Sequence, residues 1–61
     1  MKLRDLVKVY SGEVSVLHLF DEVFFGYIED IFESEDKWIL DSEVYSIDVI
    51  EGQYLEVVIR N

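Results

Sequence analysis

Of the side chains most used in catalysis, this sequence offers one histidine, no cysteine and fourteen carboxylates. His18 lies in an apolar run on the parity of Val14 and Val16, with no Cys, Ser or second His placed to join it as nucleophile or relay. It reads as a satisfied strand histidine, or as an interface residue that responds to acidic pH. The carboxylates are so numerous that no pair stands out as acid and base for glycoside or phosphoester chemistry. Gly-rich phosphate loops and nucleophile elbows are absent, and the chain is too short to build a sizeable cleft. These features point away from an enzyme, and they call for no cofactor.

The carboxylates are concentrated. Glu29, Asp30, Glu33, Glu35 and Asp36 fall within eight residues, interrupted by Ile31, Phe32 and Ser34, and Trp38 follows after Lys37. One reading is a solvated acidic loop whose aromatics turn inward. Another is an epitope in which Phe32 or Trp38 anchors while the carboxylates steer a basic partner. A calcium site is the third reading, but the spacing lacks the Asp-x-Asp-x-Asp-Gly loop that organises oxygen ligands, so metal binding there is weak and incidental.

Charge narrows the partner further. Thirteen acids and one lysine lie between Glu13 and Glu56, and the net charge is −9. Such a surface repels phosphate, which disfavours nucleic acid as a direct partner and favours the basic surface of a protein.

The elements that must position these groups belong to one small domain of 61 residues, 51% apolar and 15% aromatic, which is too apolar to stay disordered. A domain of this size buries only about 60% of the surface its unfolded chain exposes, so its stability is marginal. With no cysteine for disulfides and one histidine for zinc, oligomerisation is the natural remedy. No apolar run approaches the ~20 residues that span a bilayer, and the start lacks a signal-peptide core, so no membrane association and a cytoplasmic location are expected.

Leu3, Leu6, Val7 and Tyr10 share one face of a predicted N-terminal helix, with Lys2, Arg4, Asp5 and Lys8 outward and Ser11-Gly12 as its stop. Glu13 to Leu19 and Glu22 to Glu29 read as two strands around a hairpin turn at Asp21, with Gly26 marking a bulge or a close backbone approach. Glu43 to Ile50 and Gln53 to Arg60 read as a second hairpin around Glu51-Gly52. Alternation assigns Tyr45, Ile47, Val49, Leu55, Val57 and Ile59 to the core face, and Ser46, Asp48, Glu56 and Arg60 to the other. Between the hairpins, Asp30 and Glu33 have capping-box spacing, and the stretch from Asp30 to Ser42 allows a helical turn or a loop. The expected fold is α+β, a short N-terminal helix packed on a four-stranded, mostly antiparallel sheet.

Apolar groups occur on both parities of several strands: Val14 and Val16 against Leu17 and Leu19, Phe25 and Tyr27 against Phe24 and Ile28. One helix cannot cover two sheet faces. Either Val44, Ile50, Tyr54 and Val58 are ordinary half-exposed strand residues, or the second face is an interface. The interface reading predicts a homodimer through the far sheet face or a strand edge.

Two segments carry a resemblance. Lys2-Leu3-Arg4-Asp5-Leu6-Val7-Lys8-Val9-Tyr10-Ser11-Gly12 with its following Val-rich strand, and Ile39-Leu40-Asp41-Ser42-Glu43-Val44-Tyr45-Ser46-Ile47, resemble small acidic uncharacterised proteins of phages and mobile elements in low-GC Gram-positive bacteria. They cover about a third of the chain, and their motifs are those of helix, turn and strand. Some proteins of this kind look like anti-defence inhibitors, including anti-CRISPR and Hachiman anti-defence proteins, which bind a host effector without catalysis. The resemblance implies a noncatalytic inhibitor, in the cytoplasm of an infected bacterial host, that occupies a basic surface of a nucleic-acid-processing defence effector. Glu29, Asp30, Phe32, Glu33, Glu35, Asp36 and Trp38 are the partner-binding candidates, chosen from the charge pattern and not from the resemblance. The alternative is a structural or assembly module that dimerises through an apolar sheet face.

Overall fold

A computed structural model describes residues 1–60. Leu3 and Leu6 enter the core at the start of the chain, and Val7 and Tyr10 pack half-buried beside them, while Lys2, Arg4, Asp5 and Lys8 face solvent. This is the stripe expected of an amphipathic helix, but regular α-helix (α1) runs only over Leu3–Leu6 before giving way to turns. Gly12 is not the helix stop. It lets the Tyr10 ring cross the backbone: the Tyr10 hydroxyl donates to the Glu13 carbonyl at 2.9 Å, and a Cβ on Gly12 would lie 2.7 Å from that oxygen.

β1 (Glu13–His18) and β2 (Asp21–Tyr27) form one antiparallel hairpin, and β3 (Glu43–Ile50) and β4 (Tyr54–Arg60) form another. The strand order is β2-β1-β4-β3, so the two hairpins meet through a parallel β1/β4 pair at the centre of the sheet. Two hairpins in this order need a long crossover from one sheet edge to the other. Two 3₁₀ helices, Ile28–Glu33 and Lys37–Asp41, supply it.

The turns differ in chemistry. Glu51 and Gly52 have φ of 52° and 67°, and the Gln53 amide donates to the Ile50 carbonyl at 2.9 Å, the mirror-image turn that suits a right-twisted hairpin. The first hairpin turns instead at Leu19-Phe20, with φ of 53° and 71°, and Asp21 is already the first residue of β2. Each edge strand contains one bulge. Val23 is unpaired between Phe24 and Glu22, three residues before Gly26, which itself pairs regularly with Val14. Tyr45 is unpaired between Val44 and Ser46.

All three helical elements cover the same sheet face. Leu3, Leu6, Ile28, Ile31, Ile39 and Leu40 close over Val14 and Val16 of β1 and Val57 and Ile59 of β4. Of the six residues expected to build the core from the second hairpin, only Val57 and Ile59 are buried, with Leu55 half-buried. Tyr45, Ile47 and Val49 remain 67%, 39% and 68% exposed. Ile47 and Val49 do lie on the core side, opposite Val57 and Leu55, but β3 is an edge strand packed extensively on β4 alone. The bulge turns Tyr45 the other way, placing its ring 5.3 Å below the guanidinium of Arg60.

Candidate protein-binding surface

The crossover sorts its side chains by the period of a 3₁₀ helix, in which residues three apart eclipse one another. Ile28 and Ile31 share the inward edge and are fully buried. Glu29 lines up with Phe32, and Asp30 with Glu33, on the two outward edges, and all four are exposed. The Asp30/Glu33 capping box does not form: Tyr27 holds the N-cap position and no side chain caps it. Ser34 shapes the link between the two helices, its hydroxyl donating to the Ile31 carbonyl at 2.9 Å and accepting from the Asp36 amide at 3.1 Å. In the second helix Ile39 and Leu40 turn inward, leaving Trp38 outward.

Phe32 is therefore 42% exposed and Trp38 45% exposed, amid the exposed carboxylates of Glu29, Asp30, Glu33 and Glu35 and the half-buried Asp36. The inward-turning aromatics of a merely solvated loop are not what the crossover presents. Isoleucines fill the core positions, so the larger rings stay at the surface. Trp38 also has a fixed seat, edge-on to His18 at the end of β1, with ring centroids 5.5 Å apart and planes at 77°. That contact gives His18 a packing partner.

Electrostatics leave the cluster uncompensated. Among the described residues, the ion pairs join the N-terminal amine to Glu43 at 3.2 Å and Arg4 Nε to Asp41 Oδ1 at 2.9 Å, and neither draws on the cluster. The hydrogen bond from Arg4 holds the Asp41 carboxyl below its usual range and raises the guanidinium in turn. It ties α1 to the second 3₁₀ helix at the surface. Among the described residues no three His, Asp or Glu side chains gather as a metal site.

The opposite sheet face carries no helix. Leu17 and Val58 pair at its centre, Phe25 and Tyr54 meet edge-on at 5.4 Å, and Ser15 donates to Glu22 at 2.8 Å. Val44, Ile50, Tyr54 and Val58 are all half-buried. Where β1 and β4 end, Leu17, Leu19, Phe20, Val58 and Ile59 line an open hollow of about 180 Å³. Nothing in that lining can act as an acid or base. Sequence reasoning missed the hairpin tip as a surface feature, although an aromatic at a turn position was its visible signal. Phe20 is 98% exposed and Leu19 73% exposed.

Comparisons with protein-family models, with curated proteins and with solved structures find no match to this chain. Among the described residues no helix is long and apolar enough to cross a membrane.

Proposed function

We propose that this chain is a noncatalytic binding protein that docks its acidic crossover onto a basic protein surface. The observation that carries this reading is the outward placement of Phe32 and Trp38 among carboxylates that form no ion pair among the described residues. Desolvated aromatics supply affinity, and charge supplies encounter rate and orientation. Following the resemblance to phage and mobile-element proteins, the target class is a nucleic-acid-processing defence effector, whose phosphate-binding groove is the kind of basic surface an acidic protein can occupy. Inhibition then follows from occupancy, with no chemical step.

The test is affinity purification from the native bacterial host with three baits: wild type, Trp38→Ala, and the triple reversal of Glu33, Glu35 and Asp36 to Lys. Recovery of a nucleic-acid enzyme by wild type alone, weakening as NaCl rises, is the expected result. Equal recovery by the triple reversal overturns the reading.

The uncovered sheet face favours a second reading, a structural or assembly module that joins its partner through apolar contact. Its signature in the same experiment is recovery of a structural subunit that survives high salt and is indifferent to the crossover substitutions.

A further inference from the structure

We propose that the Leu19-Phe20 hairpin tip is the contact through which two copies of this chain pair, each inserting Phe20 into the hollow beside the tip of the other. This deepens the assembly reading and does not depend on the basic target.

Three observations converge on the tip. Leu19 and Phe20 both hold positive φ, a conformation that suits Asn-Gly and strains larger side chains, and strain kept at a surface points to use. Phe20 stands 98% exposed, so nothing within the chain accounts for an aromatic there. Its ring is itself one wall of the apolar hollow of about 180 Å³, whose other walls are Leu17, Leu19, Val58 and Ile59. Knob and hole on one surface are self-complementary, which is what a two-fold contact requires.

Other modes of self-pairing meet obstacles. A broad contact between uncovered faces sets Glu22, Asp48 and Glu56 against their own kind. Edge-to-edge pairing meets a bulge in each edge strand, at Val23 and Tyr45. At the tip the charges are mixed: Asp21 follows Phe20, and exposed Arg60 ends the neighbouring β4, so a two-fold contact has opposite charges to align. An aromatic buries about 150–250 Å², so Phe20 and Leu19 from two copies, with the walls of the hollow they cover, supply an interface at the small end of the range, below about 1,200 Å². The pairing is accordingly weak and concentration-dependent.

Sedimentation equilibrium over a dilution series tests this with wild type and the double variant Leu19→Asn/Phe20→Gly. Asn-Gly is the favoured occupant of this turn, so the variant retains its fold and its melting temperature does not fall. Wild type is expected to form a dimer that strengthens with NaCl, because salt screens two chains of charge −9, and the variant to dimerise at least tenfold more weakly. A wild type monomeric up to millimolar concentration overturns the proposal and assigns the hollow to a foreign partner. A variant as dimeric as wild type overturns it too, by placing the contact elsewhere. The Glu33, Glu35 and Asp36 reversal separates the two readings, because it abolishes target binding yet keeps the tip and brings the net charge from −9 to about −3, so dimerisation is expected to persist or strengthen.

Discussion

At the scale of the residue, positions that look like punctuation in the sequence prove to be packing devices. Gly12 follows an amphipathic stripe and reads as a helix stop, yet its φ of +147° and the Tyr10 hydroxyl, which would lie only 2.7 Å from a Cβ there, show that glycine is needed where the ring crosses the chain. Gly12→Ala is expected to cost about 1–3 kcal/mol, combining an unfavourable φ with the collision. Because the closest contact is the hydroxyl itself, Tyr10→Phe should recover part of that loss when added to Gly12→Ala, although alone it removes the bond to Glu13 and destabilises. Urea unfolding of the two single variants and the double variant measures the coupling, and strict additivity contradicts this account. Single-residue reading has the same limit at Phe20. Its type signals something unusual in a turn, but only the backbone reveals that the chain accepts positive φ to present it.

At the scale of the element, alternation in the sequence locates β3 and β4 almost to the residue, because Gly52 marks the turn and each strand repeats its apolar groups every second position. Alternation says which way a side chain points and not whether anything lies over it. Ile47 faces the core side yet remains 39% exposed on its edge strand, whereas Ile31, in a segment with no strand or α-helix period, is fully buried. The crossover was only partly legible for the same reason: the sequence allowed a helical turn or a loop from Asp30 to Ser42, and two 3₁₀ helices form there, but a three-residue repeat crowded with carboxylates matches neither regular period. Strand order was also beyond reach, since the parallel β1/β4 pair joins segments about forty residues apart with no local signal. These contrasts order the expected stabilities. Ile31→Ala should cost about 2–5 kcal/mol by opening the core, while Ile47→Ala should cost under about 1 kcal/mol, and equal losses in chemical denaturation contradict the assigned layers.

At the scale of the whole molecule, the governing quantity is a net charge of −9 carried by a body with a radius of gyration of 10.1 Å. The body measures 27 × 22 × 19 Å, so each carboxylate has like charges within two screening lengths of about 8 Å at physiological ionic strength, and self-repulsion opposes the folded state. The two described ion pairs sit at the surface and offset little of it. Raising NaCl from about 10 mM to about 200 mM should therefore raise the melting temperature by a few degrees, since in a domain of this size each 1 kcal/mol moves the midpoint by about 4–8 °C. Binding to a basic surface responds with the opposite sign, because the same ions screen attraction between the partners. Calorimetry of the free protein and titration of its complex, run over one salt series, thus separate the two roles of the acidic residues. Folding that gains from salt while binding loses identifies carboxylates placed for contact. A complex indifferent to salt leaves them as solubilising groups and shifts the recognition to the apolar sheet face.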